Sequence, residues 1–320
     1  MPKNILITGG AGFIGSRLVT GLIEHFPDAH IWVFDNLHPQ VHGVAAEQPN
    51  FPDAVEFIKG DVTNKEQLEL AVDTSKPDMI YHLAAETGTG QSYDEVARYC
   101  DVNVTGTANL IEAIRSINHS KTQKIVLASS RAVYGEGGYQ DANGNIFTGL
   151  PRQAEAMQSG HFDVPLPSKA KLPAIPVPSD NSLEVAPASI YASTKMMQEY
   201  IITQCGEGAK WQATILRLQN VYGPGQSLYN PYTGVLSIFT QQLLSGKRLE
   251  IYEDGNIARD FVFIDDVVRS LIAAGTKKVK HGAVIDIGSG QAITILDTAK
   301  QMGIEVRNLL QKAGLILVYL

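Results

Sequence analysis

Short apolar runs alternate with amphipathic stretches through the first half of the chain. The short runs are bounded by Gly, Asp or Pro, as buried parallel strands are, and they lie at 5–8, 31–35, 55–60, 79–82 and 125–129. Between them, apolar residues recur at helical spacing in 13–25, 65–72 and 94–117. Strand followed by helix, repeated in this way, predicts an α/β fold in which helices cover both faces of a doubly wound parallel sheet.

The segment 136–187 interrupts this alternation, because it is rich in Gly and Pro and its prolines end any helix or central strand early. A connection of this length in a compact domain usually has a role. A lid, a substrate loop and an oligomer contact therefore stay open beside a mobile surface insertion. The pattern then predicts a helix over 191–204, a strand over 213–218 and a glycine turn at 222–226.

The order of these elements predicts two lobes. Residues 1–222 form the larger lobe, with 136–187 inserted in it and 261–288 returning to it. Residues 223–260 and 289–320 form a smaller C-terminal lobe that we expect to bind substrate.

Three glycines follow the first predicted strand and open the first predicted helix. The spacing of Gly9, Gly12 and Gly15 brings backbone amides against a pyrophosphate, and the helix that begins with Phe13 and Ile14 adds partial positive charge. A glycine turn that only packs helix on strand is the alternative. The position directly after a strand favours a Rossmann-type dinucleotide site.

Asp35 ends the second predicted strand, about twenty residues beyond the glycines. A carboxylate at this position accepts hydrogen bonds from the adenosine ribose, and it would repel a 2′-phosphate. Asn36 beside it brings no cation to offset that repulsion. The sequence therefore predicts NAD rather than NADP as the cofactor.

Tyr191 and Lys195 stand four residues apart, which places them one above the other on a single helix face. Ser130 follows the fifth predicted strand and can donate to the same substrate oxygen. We expect the pKa of Tyr191 to fall beside the ammonium group and a nicotinamide cation, so that its phenolate acts as a base. The alternative is a tyrosine on a helix surface next to a solvated lysine.

The composition narrows the class of protein further. Lys and Arg number 26 against 33 Asp and Glu, so the net charge of −7 provides no basic field for nucleic acid or an anionic membrane. The two cysteines, Cys100 and Cys205, lie far apart, so we expect no disulfide framework and no metal site, and a reducing cytoplasm fits best. We also expect neither an export signal nor a membrane span.

These motifs, together with 60–62, 82–85, 103–107, 216–225 and 259–266, resemble the extended short-chain dehydrogenase/reductases of the nucleotide-sugar epimerase/dehydratase family. The resemblance implies bound NAD, a nucleotide-diphosphate sugar as substrate, and a homodimer joined through 94–117 and 191–204. The residues that it assigns to the cofactor are Gly9, Gly12, Phe13, Ile14, Gly15, Asp35, Asn36, Asp61, Val62, Leu83, Ala84, Ala85, Asn103, Tyr191 and Lys195.

The resemblance also assigns residues to the substrate. Asn220 should contact the diphosphate, and Arg259 should clamp it as a planar charged donor. Ile251 lies in a predicted strand over 249–252 that should pack against the nucleotide base. A surface ion pair of Arg259 with Glu253 or Asp254 is the alternative. The residues expected at the sugar are Glu86, Thr87, Ser130 and Arg131.

The residue types at the two positions after Ser130 distinguish the reactions that members of this family catalyse. Relatives that dehydrate the sugar carry an Asp-Glu pair there, whereas this chain has Arg131 and Ala132. The resemblance therefore implies 4-epimerisation through a 4-keto sugar, catalysed by Ser130, Tyr191 and Lys195. The insertion resembles that of enzymes acting on dTDP-6-deoxyhexoses such as dTDP-L-rhamnose. A 4-dehydrogenase or reductase, and a catalytically silent NAD-binding protein, are the alternatives.

The end of the chain departs from the family pattern. Family members continue with a segment whose arginine grips the second side of the diphosphate, and Arg307 cannot be aligned with that arginine. We therefore expect a substrate lobe that is shortened at its C-terminal end.

Overall fold

The computed structural model describes residues 2–43, 49–117, 120–228, 230, 232 and 234–312, with side chains described as far as residue 303. The predictions for the Arg307 side chain and for residues 313–320 lie outside these described parts. None of the described helices is long and apolar enough to cross a membrane.

Thirteen strands are described, and seven of them form one sheet at the centre of the fold. The strands are β1 (Asn4–Thr8), β2 (His30–Asp35), β3 (Val55–Lys59), β4 (Met79–His82), β5 (Lys124–Ser130), β6 (Gly138–Gln140), β7 (Ile146–Thr148), β8 (Ile175–Val177), β9 (Gln212–Leu218), β10 (Asn220–Tyr222), β11 (Ala258–Phe263), β12 (Ala283–Ile287) and β13 (Ala292–Thr294).

The central sheet has the order β12-β9-β5-β4-β1-β2-β3, and every pair of neighbours is parallel. The chain moves outward from β1 to β3 and then returns to β4 on the other side of β1. The sheet is therefore doubly wound, and the predicted Rossmann-type α/β fold is confirmed.

Helices connect the strands on both faces of this sheet. They are α1 (Phe13–His25), α2 (Pro39–His42), α3 (Lys65–Ser75), α4 (Gln91–Asp94), α5 (Val96–Tyr99), α6 (Gly106–Ser116), α7 (Ala154–Gln158), α8 (Ile190–Gly206), α9 (Val235–Leu244), α10 (Ile264–Thr276) and α11 (Ile295–Lys312).

The predicted helix over 94–117 is confirmed over most of its length, with a π turn inside it. The chain forms α5, continues without a gap through a π-helical turn over Cys100–Thr105, and then forms α6, whereas the short α4 precedes it. Asn103 lies in the π turn and is fully buried, where it hydrogen-bonds the backbone of Glu86. A π turn inserts one residue into the helical spacing and often occurs at functional sites, and apolar periodicity does not reveal it.

Two apolar cores cover the two faces of the central sheet. On one face, Leu18 and Leu22 of α1 pack with Leu271 of α10 against the strands. On the other face, Leu68 of α3 and Leu110 of α6 pack together, with α8 beside them. Because both faces are buried, the strands are apolar at nearly every position, which is why they stand out as continuous runs in the sequence.

The insertion 136–187 contains an ordered unit of its own. Within it β6 is the central strand of an antiparallel sheet, with β7 and β8 on its two sides and α7 between them in the sequence. Pro176 lies in the edge strand β8, where its missing N–H group is tolerated. The insertion is therefore a small folded sheet rather than one long loop.

A third sheet has β11 between β10, which is parallel to it, and β13, which is antiparallel. The predicted strand over 249–252 is wrong, since these residues form no ladder. β12 joins the central sheet beside β9, and the division into two lobes stays a prediction.

Local capping determines where α1 and α8 begin. Gly12 is the N-cap of α1 and provides no side-chain hydrogen bond, so backbone N–H groups of the first turn stay available to a ligand. Ser189 caps α8, because its Oγ accepts a hydrogen bond from the Ala192 N–H group. Tyr191 is consequently the second residue of α8 and stands at the end of the helix that faces the carboxyl edge of the sheet.

His82 ends β4 in a fully buried polar network. Its Nδ1 lies 2.7 Å from Thr8 Oγ1 and its Nε2 lies 2.9 Å from Thr107 Oγ1, so the imidazole links β1, β4 and α6. Burial, together with the charge of Lys195, lowers the pKa of His82 to about 3. The imidazole is therefore neutral in the folded protein near neutral pH.

We predict that His82 makes the folded state sensitive to acid. The unfolded chain protonates this residue near the ordinary pKa of 6.5, whereas the folded protein does so only near 3. Its contribution to stability is therefore complete above pH 6.5 and is lost as the pH falls from 6.5 toward 3, by about 2 kcal/mol at pH 5. Urea unfolding at pH 7 and pH 5 should show a smaller loss of stability for His82→Gln than for the wild type, and equal losses would contradict this account.

Candidate active site

A cavity of ≈1060 Å³ opens at the carboxyl edge of the central sheet. The register brings the strand ends together there, since Thr8 pairs with His82 and Ser130 pairs with Leu218. The loops after β1 and β4 diverge because the chain leaves the two strands in opposite directions across the sheet. The lining runs from the glycine turn after β1 to Arg259 on β11.

The glycine turn forms one wall of this cavity. A Cβ on Gly9, whose φ is +71°, would lie 2.6 Å from the Ala84 nitrogen, and a Cβ on Gly15 would collide with the Gly9 carbonyl. Packing therefore requires these two glycines. A Cβ on Gly12 would meet only the Gly9 carbonyl oxygen, at 3.4 Å, and Gly12 lines the cavity. Its missing side chain leaves space beside the N-terminus of α1.

Asp35 lines the cavity at the end of β2 and is held by backbone donors. Its Oδ2 accepts a hydrogen bond from the Ala11 N–H group at 3.0 Å, and its Oδ1 accepts one from Leu37 at 2.9 Å. His42 Nε2 lies 3.8 Å from the same Oδ1. These contacts fix the carboxylate at the point where the glycine turn meets the second strand.

Asn36 lines the cavity, whereas Asp61 does not. The side-chain amide of Asn36 donates to Asp61 Oδ2 at 2.8 Å, and Thr63 donates twice to Asp61 Oδ1. Burial alone would raise the pKa of Asp61, but these hydrogen bonds outweigh burial and hold that pKa below its ordinary value. Asp61 therefore orients Asn36 instead of forming the wall itself.

Two successive residues of β5 are hydrogen-bonded to one face of α8. The pairs are Ala128 O with Lys195 Nζ at 2.9 Å and Ser129 Oγ with Glu199 Oε1 at 2.5 Å, and Ser130 is the next residue of the strand. Ser130, Tyr191 and Lys195 all line the cavity. A hydroxyl, a phenol and an amine are thus held at one wall by contacts between a single strand and a single helix.

Burial has the largest effect on the pKa values of Tyr191 and Lys195. It raises the pKa of Tyr191, and the hydrogen bond from Ser130 and the charge of Arg131 offset only part of that rise. Burial also lowers the pKa of Lys195 to about 8, against the opposing effect of Glu199. The expected fall in the pKa of Tyr191 concerns a phenol beside a nicotinamide cation and stays a prediction. For the protein groups alone, the cost of desolvating the phenolate exceeds both stabilising contacts.

An ion pair that the sequence analysis missed lies behind this wall. Arg217 of β9 donates to both carboxylate oxygens of Glu199, at 3.0 and 2.7 Å, and the two side chains are 6% and 3% exposed. Arg217 also donates to the Tyr134 hydroxyl, which donates to Asp286 of β12. Because Glu199 stands four residues beyond Lys195, the helical spacing could have revealed it.

Two guanidinium groups line the cavity without a carboxylate at ion-pair distance in the described parts of the chain. Arg131 donates to the Gly135 carbonyl, and Arg259 donates to the Ala258 carbonyl. Burial lowers the pKa of Arg131, and burial together with the charge of Arg131 lowers the pKa of Arg259 to about 10. This part of the wall is cationic and suits an anionic ligand.

The segment before β11 differs from its prediction. Ile251 does not line the cavity, whereas the residues at 250, 252 and 253 do. Arg259 forms no ion pair with Glu253 or Asp254 in the described chain, because Glu253 is bound to Arg152.

The predicted site residues fall into those that line the cavity and those that do not. Asp61, Asn103 and Ile251 lie outside the lining. The predicted residues that line the cavity are Gly9, Gly12, Phe13, Ile14, Gly15, Asp35, Asn36, Val62, Leu83, Ala84, Ala85, Glu86, Thr87, Ser130, Arg131, Tyr191, Lys195, Asn220 and Arg259. Among the described residues, no group of three or more His, Cys, Asp or Glu side chains could hold a metal ion.

Asn103 and Arg98 hold the loop after β4, on which Glu86 and Thr87 stand. The Asn103 side chain accepts a hydrogen bond from the Glu86 N–H group at 2.8 Å and donates to the Glu86 carbonyl at 3.1 Å. Arg98 binds the Glu86 carboxylate at 2.8 Å and that of Glu95 at 2.6 Å. Glu86 is therefore a paired carboxylate, and Arg98 is a supporting residue that no sequence motif indicated.

Comparison with known protein families gives two matches. Residues 6–144 match the family model described as GDP-mannose 4,6 dehydratase. Residues 168–288 match the model of the NAD dependent epimerase/dehydratase family. The two matches together span the central sheet from β1 to β12.

Similar proteins of known activity are nucleotide-sugar enzymes. A dTDP-L-rhamnose 4-epimerase from Burkholderia thailandensis is 41% identical over 303 residues, which cover 93% of this chain and 80% of that protein. The solved UDP-glucose 4-epimerase of Thermotoga maritima, with UDP-glucose, has a TM-score of 0.73 at 28% identity, covering 95% and 82% of the two chains. The Thermus thermophilus UDP-glucose 4-epimerase complex with NAD has a TM-score of 0.71 at 25% identity, with coverage of 95% and 82%.

We predict that Glu199→Gln destabilises the fold, because it leaves the Arg217 guanidinium buried without a countercharge. Breaking such a pair from one side costs about 3–5 kcal/mol of unfolding free energy, which urea denaturation measures. The matched control is Glu112→Gln, which breaks the exposed pair with Lys65 and should change stability little. Equal small losses in both variants would contradict a structural role for the buried pair.

Proposed function

Because the chain belongs to the NAD-dependent epimerase/dehydratase family, we propose that it inverts C4 of a nucleotide-diphosphate sugar through a 4-keto sugar. The observation that carries this proposal is the placement of Ser130, Tyr191 and Lys195 together at the wall of a cavity that also contains the glycine turn and Arg259. The similarity to a dTDP-L-rhamnose 4-epimerase supports the choice of C4.

The residues of the cavity fit NAD. Gly12 has no side chain and leaves space at the N-terminus of α1, where a pyrophosphate would accept hydrogen bonds from backbone N–H groups. The fixed carboxylate of Asp35 would accept hydrogen bonds from the adenosine ribose and repel a 2′-phosphate. When bound, NAD supplies a centre that accepts a hydride from the sugar and returns it.

Tyr191 is the proposed base that removes the proton of the 4-hydroxyl group and later restores it. Ser130 donates to the same oxygen and orients it. Since burial raises the pKa of Tyr191, its phenolate forms only as far as Ser130, Arg131 and other nearby positive charge stabilise it. The amine of Lys195, held by the Ala128 carbonyl, is the proposed ribose contact and a source of that charge.

Inversion requires that the sugar present its opposite face before reduction. We propose that Arg259 and Asn220 hold the diphosphate during this rotation, because bonds between the sugar and the phosphates can turn while the charged end stays anchored. Arg131 and Ala132 provide no carboxyl group for removing a proton from C5 or for protonating the C6 hydroxyl oxygen as it leaves, so elimination is not favoured.

The proposed substrate is a dTDP-6-deoxyhexose such as dTDP-L-rhamnose, supported by the Burkholderia relative. We further propose a homodimer in the cytoplasm. The surface that would form it includes Val96 of α5 and Met197 and Tyr200 of α8, which are between 43% and 46% exposed. Apolar side chains grouped on adjacent helices favour contact with a second copy.

The proposed activity is tested by incubating the protein with dTDP-L-rhamnose and a panel of other nucleotide sugars, and by following the ring-proton couplings with NMR. We expect the C4 epimer to form without consumption of added NADH. Stoichiometric use of NADH would indicate a 4-dehydrogenase or reductase instead. Tyr191→Phe should lower kcat by about 10²–10⁴-fold while NAD stays bound, and a nearly normal kcat would rule out Tyr191 as the base.

Two glycine variants should separate cofactor binding from folding. Gly12→Ala places a methyl group where the protein has space, so we expect weaker NAD binding, by roughly tenfold or about 1.4 kcal/mol. Gly15→Ala forces a collision with the Gly9 carbonyl and should lower the unfolding free energy by about 1–3 kcal/mol. Calorimetric titration with NAD and thermal unfolding measure the two effects. Unchanged NAD affinity in Gly12→Ala would contradict the proposed pyrophosphate position.

A further inference from the structure

Arg152 of the insertion joins two parts of the chain that are distant in sequence. Its Nε lies 3.1 Å from Glu136 Oε1, at the start of the insertion, and its Nη1 lies 2.7 Å from Glu253 Oε2, before β11. The three side chains are 15%, 22% and 23% exposed, so water screens these contacts only in part. Glu253 also has a left-handed backbone, with φ of +60°, which is uncommon outside glycine.

The two carboxylates held by Arg152 lie close to the cationic wall of the cavity. Glu253 lines the cavity together with Arg131 and Arg259. Both Glu136 and Glu253 act electrostatically on Arg259, and Glu136 acts on Arg131 as well. Even so, neither of these two arginines has a carboxylate at ion-pair distance in the described chain, because each glutamate is bound to Arg152.

We propose that Arg152 is a positioning residue for substrate binding, which keeps Glu136 and Glu253 away from Arg131 and Arg259. The two cavity arginines thereby keep their charge for the diphosphate of a nucleotide sugar. This inference rests on the proposed function, because it explains how the proposed substrate cavity can bind the anionic diphosphate. It also gives the insertion a role, because the insertion carries Arg152 and places its guanidinium group between the two glutamates.

The charges of the cluster explain why one residue has this effect. Among the described residues, this cluster has three arginines and two glutamates, and Arg152 is the arginine that binds both carboxylates. Without its guanidinium, the two carboxylates would be partly buried beside the cationic wall with no partner. They would then pair with Arg259 or Arg131, or would repel an incoming diphosphate, and both outcomes weaken binding.

Arg152 acts through its partners and not by touching substrate. It does not line the cavity, whereas Glu253 does. A residue that only ties the insertion to the segment before β11 would also loosen that wall when removed. The two roles differ in one respect: neutralising the glutamates should compensate for the loss of Arg152 only when their charge is the cause of the defect.

The test compares Arg152→Gln with the triple variant Arg152→Gln, Glu136→Gln, Glu253→Gln. Each protein is titrated with dTDP by calorimetry and assayed with dTDP-L-rhamnose. In Arg152→Gln we expect the Kd for dTDP and the KM to rise by about tenfold, with kcat changed by less than about twofold. In the triple variant the Kd should return to within about threefold of the wild type. NAD content, read from absorbance after denaturation, should be unchanged in both.

Arg17→Gln is the matched control, because Arg17 forms a 2.6 Å ion pair with Asp265 and lies outside the cavity lining. It should leave the Kd for dTDP unchanged. An unchanged Kd in Arg152→Gln, or a triple variant as weak as Arg152→Gln, would overturn the proposal. If the wild type binds dTDP in an Arg152-dependent way but epimerises no sugar, the proposed function fails while the inference about Arg152 stands.

Discussion

The contact between β5 and α8 is the constraint on which the site depends. Ala128 and Ser129 of the strand are hydrogen-bonded to Lys195 and Glu199 of the helix, and Ser130 follows them on the strand. A shift of the helix by one residue would break both contacts and turn Tyr191 out of the cavity. The buried pair of Glu199 and Arg217 ties the same helix to β9, so the position of the phenol is set by two neighbouring strands of the central sheet.

Burial has opposite consequences for the acidic and the basic members of this site. It raises the pKa of Tyr191 and lowers the pKa of Lys195, so each group is shifted toward its neutral form. The arginines of the wall are affected in the same sense, and in the described chain Arg131 and Arg259 lack a carboxylate partner. A bound anion would therefore offset the positive charge of this part of the wall.

Elements with strong local signals were predicted well. The glycine turn leads into α1, which begins at Phe13 as expected, and α8 carries Tyr191 and Lys195 on one face. The departures lie where tertiary contacts matter and local periodicity does not report them. The helical run 96–116 contains a π turn at Asn103, which is bound to Glu86, and residues 249–252 pair with no strand.

The sequence by itself determined the class of fold, the dinucleotide motif and the tyrosine, lysine and serine of the site, because apolar periodicity, glycine spacing and helix spacing are local properties. Tertiary structure decided which carboxylates and guanidinium groups meet. Arg152 reaches Glu253, and Arg217 reaches Glu199, only after the insertion and the central sheet have folded. It also decided the direction of the pKa shift of Tyr191, because desolvation depends on everything packed around the phenol and not on its neighbours in the chain.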